Sequence, residues 1–217
     1  MNHPKQNRDT LQPQLLQSVT GFVLAGGKSS RMGREKALLE LSGRTLLNRA
    51  IDLLRPLVGE VIVVGEAAKF VTVTRTVEDL YRGHGPLGGI HAALTRTATP
   101  LNLILAVDLP FVERDFLTYL ITEAGRSGAM VTVPRTARGS QPLCAVYDRD
   151  FADIAEEALR AGRNKIDALF SAAETRTIGQ DELARMGFSE AMFRNLNTPE
   201  EFARAEKDLE TSAGRGR

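Results

Sequence analysis

The chain has 217 residues, of which 42% are apolar and 25% are charged, values that are ordinary for a globular α/β domain with a sizeable core. Lysine and arginine number 28 against 27 acidic residues, a balance that argues against nucleic acid or an anionic membrane as the main partner. The single cysteine excludes an internal disulfide, and no apolar run is long enough to cross a bilayer, so a reducing cytoplasm is expected.

The two ends of the chain are expected to lie outside the folded domain. Residues 1–19 are polar and lack the apolar core and cleavage site of a secretory signal, so they are predicted to form a flexible extension. Residues 211–217 are predicted to be a frayed tail. Between them, residues 20–210 show no repeat, low-complexity block or linker and are expected to form one domain.

Short apolar runs alternate with amphipathic helical segments through this domain. The predicted strands are GFVLA, VIVV, VTVTRTV, LNLILAVD, AMVTVP and PLCAVYD, beginning at residues 21, 61, 71, 101, 129 and 142. The predicted helices are TLLNRAIDLL, GPLGGIHAAL, RDFLTYLITEA, DFADIAEEALRAG and TPEEFARAEKDL, beginning at residues 45, 85, 114, 150 and 198. Such alternation is typical of β-α-β crossovers, so we predict a mostly parallel sheet in a three-layer α/β/α sandwich.

A glycine-rich loop with four cations follows the first predicted strand, in VLAGGKSSRMGREK at residues 23–36. Its spacing fits neither the P-loop nor the dinucleotide-binding G-x-G-x-x-G pattern. Gly26 and Gly27 nevertheless allow backbone N–H groups to approach a phosphate, and Arg31 and Lys36 can add charged contacts. We therefore predict a phosphate site, with a solvated basic turn as the alternative.

Asp108 ends the most apolar of the predicted strands. Ligands of parallel α/β sheets bind beyond the carboxyl ends of the strands, so Asp108 is expected in the same crevice as the glycine-rich loop. A carboxylate there can hold Mg²⁺ against phosphate oxygens. The alternative is an aspartate that caps the turn before Pro110.

The remaining candidates for nucleophile or metal ligand are weak. Cys144 lies in the strand-like run PLCAVY and is predicted to be an inert core thiol. His3, His84 and His91 have no metal-ligand spacing with Cys144 or with one another.

Five segments in this order resemble the molybdenum cofactor guanylyltransferases, also called molybdopterin-guanine dinucleotide synthases. They are LAGGKSSRMGREKALLELSGRTLL, VEDLYRGHGPLGGIHAAL, LILAVDLPFV, QPLCAVY and RNLNTPEEF, within residues 20–209. The resemblance implies a Rossmann-like nucleotidyltransferase fold that transfers GMP from GTP to molybdenum-molybdopterin and releases pyrophosphate, with Mg²⁺ as cofactor. Transient contact with molybdoenzymes or cofactor-delivery proteins is the protein partnership it suggests.

The resemblance also implies roles for individual residues. The implied catalytic residues are Arg31, Lys36 and Asp108, of which Asp108 would bind the metal. The implied nucleotide-binding residues are Leu24, Ala25, Gly26, Gly27, Lys36, Asp79, Gly85, Gly89 and Asp108. The implied acceptor-binding residues are Lys165, Asn195 and Asn197.

The chain departs from the family pattern at three places. Glu35 precedes Lys36 where many relatives carry aspartate, Gly65 and Glu66 stand where an asparagine is often found, and Lys165 stands where relatives place an arginine. These departures concern the acceptor contacts more than the GTP contacts.

Three alternative functions stay open. A cytidylyltransferase of the same cofactor pathway and a sugar-phosphate nucleotidyltransferase share the fold, but generally carry Ala-Ala-Gly in place of residues 25–27. A nucleotide-binding regulator without turnover is disfavoured because Arg31, Lys36 and Asp108 are all present.

Overall fold

The structure is a computed structural model that describes residues 18–26, 35–70, 74–81 and 83–214, with side chains to residue 208. The strands within these residues are β1 Val19–Leu24, β2 Glu40–Leu41, β3 Arg44–Thr45, β4 Glu60–Val64, β5 Thr76–Val77, β6 Leu101–Ala106, β7 Val131–Thr136, β8 Gly139–Ser140, β9 Cys144–Asp148 and β10 Thr175–Ile178. The α-helices are α1 Leu46–Leu54, α2 Ala67–Phe70, α3 Pro86–Leu94, α4 Arg114–Ser127, α5 Phe151–Arg160, α6 Gln180–Arg185 and α7 Pro199–Gly214. Short 3₁₀ helices span Lys36–Leu38, Ile166–Leu169 and Glu190–Phe193.

The main sheet has the strand order β10-β7-β9-β6-β1-β4-β5, with β8 paired to β7. Along this order only β9 is antiparallel to its neighbours, β6 and β7. The predicted mostly parallel sheet is therefore confirmed. Its apolar strand sequences did not indicate that β9 runs the other way, because a strand buried on both faces looks alike in either direction. The pair β2–β3 forms a separate antiparallel ribbon.

Helices cover both faces of the sheet, and each face has its own apolar core. Helices α1, α4 and α7 pack on the face that carries Val23, whereas α3 and α5 pack on the face that carries Phe22. This division follows from the strand geometry, since successive side chains of a strand point to opposite faces. The three-layer α/β/α sandwich is thus confirmed.

The entry to α7 is held by a capping box. Thr198 Oγ1 accepts a hydrogen bond from the backbone N–H of Glu201 at 3.2 Å, and Glu201 Oε2 accepts one from the N–H of Thr198 at 3.0 Å. The same Glu201 oxygen also accepts from the N–H of Asn197. These bonds hold Asn197, which lies directly before the N-cap Thr198 and belongs to the candidate site.

Several elements differ in extent from the predicted ones. Of the run VTVTRTV, only Thr76–Val77 is a strand among the residues described, and residues 71–73 lie outside them. Strand β6 ends at Ala106, so Asp108 lies in the turn that follows it. The extension at residues 1–17 also lies outside the described part of the chain, and the predicted domain boundaries stay predictions.

The predicted core thiol is confirmed. Cys144 is fully buried in β9, and burial raises the pKa of its thiol, which opposes formation of the reactive thiolate. In the described ranges, no helix has both the length and the apolar composition that a membrane span requires.

The buried imidazole of His91 in α3 predicts a pH dependence of stability. His91 is 4% exposed, and burial lowers its pKa from the ordinary value of 6.5; the charge of Arg160 acts in the same direction, and those of Glu156 and Asp79 act against it. The folded state therefore keeps this ring neutral at pH values where the unfolded chain binds a proton. Stability should fall as the pH decreases through the ordinary value.

We expect the melting temperature to fall less between about pH 7.5 and about pH 5.5 in His91→Gln than in the wild type, because the variant lacks the buried titrating group. His84→Gln is the matched control, since His84 is only half-buried and donates or accepts a single side-chain bond. Identical pH profiles for the wild type and His91→Gln would contradict this expectation.

Candidate functional site

The site lies at the carboxyl edge of the sheet, between β1 and β6. Strand β4 pairs with one side of β1 and β6 with its other side, so the chain runs from β1 outward to β4 and β5 and then returns to β6 on the opposite side of β1. This is the topological switch point at which open α/β sheets leave a crevice. The glycine-rich loop leaves β1 at this point, and the turn that contains Asp108 leaves β6.

Lys36 joins three distant parts of the chain in this crevice. Its Nζ donates to Asp108 Oδ2 at 2.7 Å and to Asn197 Oδ1 at 2.6 Å. The Lys36 and Asp108 side chains are 15% and 21% exposed, so this ion pair is largely shielded but still open on one side. The backbone carbonyl of Asp108 also accepts from the N–H of Leu196 at 3.1 Å, which ties the asparagine-containing segment to the β6 turn.

The oxygen atoms around Lys36 fit a hard divalent cation that shares its coordination with phosphate. Asp108 offers a carboxylate, and Asn197 offers an amide oxygen near the same ammonium group. No three His, Cys, Asp or Glu side chains among the described residues form a metal cage. Mg²⁺ suits such a site, because it commonly binds one or two carboxylates and takes its other ligands from water and substrate phosphates.

Asp79 lies against the first turn of α3. Its Oδ1 accepts from the N–H of Tyr81 at 2.7 Å, and a Cβ placed on Gly88 would stand 2.6 Å from its Oδ2. A carboxylate beside a helix N-terminus is favoured by the positive end of the helix dipole. Gly85, at the N-cap of α3, has a φ of 69°, a conformation that glycine adopts without strain. The structure therefore gives Asp79 a role in shaping this edge besides its predicted contact with the nucleotide.

The first backbone groups after β1 are already committed to the sheet. The N–H of Ala25 donates to Val64 at 2.9 Å, and the carbonyl of Leu24 accepts from Val107 at 3.1 Å. Gly26 is exposed, and no heavy atom of the described residues lies within 4 Å of the position a Cβ would occupy. Room for a ligand at the backbone therefore begins at Gly26.

Other predicted nucleotide-binding residues lie near this edge or outside the described chain. Gly89 of α3 packs above the strand ends, since a Cβ there would lie 3.5 Å from Leu24 Cδ2 and 3.7 Å from Val64 Cγ1. Gly27 and Arg31 lie outside the described residues, so their predicted roles stay predictions.

The three predicted acceptor residues lie on two segments of the chain. Asn197 binds Lys36, and Asn195 is exposed two residues before it. Lys165 is exposed at the start of the Ile166–Leu169 turn, which packs in the other core layer. Within the described chain no contact joins Lys165 to Asn197, so a common acceptor site stays a prediction.

An ion triad beside the site was not predicted from the sequence. Lys69 of α2 binds Glu35 Oε1 at 2.6 Å and Glu66 Oε1 at 3.0 Å, and the hydrogen bond that Lys69 donates to Glu35 contributes most to raising the pKa of Lys69. Two of the departures from the family pattern, Glu35 and Glu66, therefore meet at one cation. The Glu66–Lys69 spacing is visible in the sequence, but Glu35 is 34 residues from Lys69 and no local pattern pairs them.

Gly65 has a packing role in the same place. A Cβ on Gly65 would stand 2.8 Å from the ring of Phe70, so a side chain here would push α2 away from β4. The glycine lets the short helix fold back against the strand end, where Lys69 can reach Glu35.

A second concave region lies at the opposite edge of the sheet. It encloses about 410 Å³ and is lined by the amino ends of β1 and β4 and by a threonine-rich turn that includes Thr97 and Thr99. The hydroxyls of Thr20, Thr97 and Thr99 bind one another there. None of the predicted site residues lines this region, so the chemistry favours the carboxyl edge.

This fold and a lysine–carboxylate–amide crevice at its switch point define an α/β protein of the nucleotidyltransferase type. Residues 21–176 match the family model described as MobA-like NTP transferase domain, and the chain belongs to this family. The predicted family resemblance is thereby confirmed.

Named relatives and solved structures agree with this assignment. The chain is 36% identical over 196 residues to a probable molybdenum cofactor guanylyltransferase of Pelotomaculum thermopropionicum, covering 89% of this chain and 95% of the relative. It is 33% identical to a molybdenum cofactor guanylyltransferase of Desulfosudis oleivorans, covering 92% and 99%. The crystal structure of molybdopterin-guanine dinucleotide biosynthesis protein A from Archaeoglobus fulgidus superposes with a TM-score of 0.78 at 28% identity, covering 88% and 99%.

A cytidylyltransferase is also similar in structure. The 2-C-methyl-D-erythritol 4-phosphate cytidylyltransferase of Thermus thermophilus superposes with a TM-score of 0.64 at 18% identity, covering 87% of this chain and 98% of that one. At this identity the likeness shows the fold alone.

The contact between Asp79 and Gly88 predicts opposite effects for two neighbouring glycines of α3. Gly88→Ala should destabilise the fold by about 1–2 kcal/mol, because the added methyl group displaces a carboxylate held by the Tyr81 N–H. Gly89→Ala should be neutral or stabilise by up to about 1 kcal/mol, since its contacts are ordinary and alanine favours the helix. Urea unfolding measures both, and equal effects of the two substitutions would contradict the packing of Asp79.

Proposed function

We propose that this protein transfers GMP from GTP to molybdenum-molybdopterin and so forms the molybdopterin guanine dinucleotide cofactor and pyrophosphate. The observation that carries the proposal is the contact of Lys36 Nζ with both Asp108 and Asn197 at the switch point of the sheet. It joins three motifs that the family resemblance had implied separately. The relatives named as molybdenum cofactor guanylyltransferases support the choice of substrates.

The proposed reaction is a displacement at the α-phosphorus of GTP. A terminal phosphate oxygen of the acceptor forms a new bond to this phosphorus, the bond from it to the bridging oxygen of the β-phosphate breaks, and pyrophosphate leaves with that electron pair. The nucleophile is already an anion, so no general base is needed. The protein must align the two substrates and neutralise their negative charges.

Lys36 is the residue best suited to neutralise charge at the reacting phosphate. Its ammonium group has three N–H donors, of which two are used by Asp108 and Asn197. The third can bind a phosphate oxygen. Arg31 is proposed as a second cation on the triphosphate, and the exposed backbone from Gly26 onward as the phosphate-facing surface.

Mg²⁺ is the proposed cofactor, held by Asp108 with the Asn197 amide oxygen nearby. Asp108 Oδ2 accepts a hydrogen bond from Lys36 Nζ, whereas Oδ1 makes no hydrogen bond or ion pair with the described residues. The Oδ1 atom is therefore available to a cation. When bound, the ion would offset phosphate charge and make the α-phosphorus more electrophilic. Lys36 would keep the carboxylate oriented and balance its charge before the ion arrives.

The remaining expectations concern location and protein partners. Transient contact with molybdoenzymes or delivery proteins and a cytoplasmic location stay predictions of the sequence. No observation in the described part of the chain favours a second function.

The test of the proposal is pyrophosphate release from each nucleoside triphosphate in the presence of Mg²⁺ and molybdopterin. We expect GTP to be used at least about 100-fold better than CTP or ATP, because polar groups that pair with guanine stay unpaired with the wrong base. Faster turnover with CTP would favour a cytidylyltransferase. Nucleotide binding without pyrophosphate release would favour the regulator.

Asp108→Asn should lower turnover with GTP on the order of 100-fold, because the amide keeps the size of the side chain but loses the charge that binds the cation. The fold should persist with a loss of about 1 kcal/mol or less, since the ion pair with Lys36 is partly open to solvent. Asp52→Asn is the matched control, because Asp52 also pairs with a cation, Arg44, but lies on α1 away from the crevice. A destabilised but fully active Asp108→Asn enzyme would show that Asp108 only caps its turn.

A further inference from the structure

The segment that leads from β5 into α3 carries the predicted nucleotide residues Asp79 and Gly85. We call residues 79–81 and 83–85 the α3-entry segment. The Asp79 carboxylate fits against Gly88 of α3, which anchors one side of the segment to that helix. The hydrogen bond from the Tyr81 N–H to Asp79 lies within the segment, so the other side of the segment is held by a different element.

Tyr81 supplies contacts to both helices of this face. Its ring packs edge-on against His91 of α3, with centroids 5.2 Å apart. Its hydroxyl donates to Glu156 Oε1 of α5 at 3.3 Å, and Arg160 donates to the same oxygen at 2.8 Å. The ring thus rests on α3, whereas the hydroxyl connects the segment to α5.

A second side chain of the segment, His84, also contacts the region of α5. His84 Nδ1 lies 3.1 Å from Asn164 Oδ1, in the turn that follows α5, and the His84 ring packs edge-on against Tyr81 at 6.1 Å. Two side chains of the segment therefore reach the same neighbouring element. Helix α5 itself contains none of the predicted catalytic, nucleotide-binding or acceptor-binding residues.

We propose that Tyr81 is a positioning residue for GTP, which holds the α3-entry segment in its binding arrangement by anchoring it to Glu156 of α5. The inference rests on the proposed function, because it concerns the affinity for the same nucleotide. Tyr81 acts through Asp79 and the start of α3 and does not touch the reacting atoms. Its consequence is that α5, on the far side of α3, helps to set the affinity for GTP.

The α3-entry segment should be less well ordered in the free Tyr81 variant than in its complex with GTP. Without the hydrogen bond to α5, the α3-entry segment samples other arrangements. The affinity for GTP then falls in proportion to the fraction of molecules whose segment has the binding arrangement. Bound GTP restores the arrangement, so the turnover at saturating GTP stays unchanged. The effect should appear in Kd and KM and not in kcat.

The first experiment compares two tyrosines that each bind a glutamate. Tyr81→Phe removes only the hydroxyl that reaches Glu156 and keeps the ring on His91. Tyr119→Phe is the matched control, because Tyr119 donates to Glu182 Oε1 at 2.6 Å between α4 and α6, on the opposite face of the sheet. Calorimetry with GTP and Mg²⁺ should show Kd raised about 3- to 10-fold by Tyr81→Phe and unchanged by Tyr119→Phe, while Tyr119→Phe lowers the melting temperature more.

The second experiment tests whether Tyr81 acts through its hydrogen bond to Glu156. Glu156→Gln keeps an oxygen acceptor for the Tyr81 hydroxyl and should bind GTP within about twofold of the wild type, whereas Glu156→Ala should match Tyr81→Phe. The double variant Tyr81→Phe/Glu156→Ala should bind GTP no more weakly than Glu156→Ala alone, since Glu156→Ala already removes the acceptor of the Tyr81 hydroxyl.

Two outcomes overturn the inference, and they differ from failure of the proposed function. If the wild type binds GTP and Tyr81→Phe binds it equally well, the positioning role is wrong and the proposed function stands. If Tyr119→Phe weakens the binding of GTP as much as Tyr81→Phe does, the effect is general destabilisation and the positioning role is again wrong. If the wild type does not bind GTP, both proposals are wrong.

Discussion

The arrangement of the candidate site depends on one ammonium group shared by two oxygen acceptors. Lys36 Nζ binds Asp108 and Asn197, which are 72 and 161 residues away along the chain. A largely shielded charge of this kind is costly unless its partners are held in place, so the surrounding structure must fix all three segments together. The parallel pairing of β1 with β6 brings the ends of the strands that precede Lys36 and Asp108 to the same edge of the sheet.

The third segment is fixed by a helix start. Glu201 of α7 accepts from the N–H groups of Asn197 and Thr198, and the N–H of Leu196 donates to the carbonyl of Asp108. A capping box usually stabilises only its own helix. Here it also determines where an amide oxygen meets the lysine, so the stability of α7 and the geometry of the site are coupled.

The two sides of the crevice are built differently. On the β6 side, charged and amide groups converge on Lys36 and suit phosphate chemistry. On the β5 side, Asp79 and the glycines of α3 make a close-packed edge that Tyr81 connects to α5. The Lys69 triad lies between them and connects Glu35, which precedes Lys36, to the end of β4. The proposed neutralisation of charge and the proposed positioning of the nucleotide would therefore use separate parts of the same sheet edge.

Local patterns in the amino-acid sequence were enough to predict the fold class and the order of most elements, and they named Lys36, Asp108 and Asn197 before the structure brought these residues together. Apolar runs and helical periodicity report burial of neighbouring residues, so the mostly parallel sheet and the inert core thiol of Cys144 could be predicted. The direction of β9 and the meeting of Glu35 with Glu66 at Lys69 could not be predicted. These depend on contacts between residues far apart in the chain, and only the packing of the sheet and its helices decides which distant side chains meet.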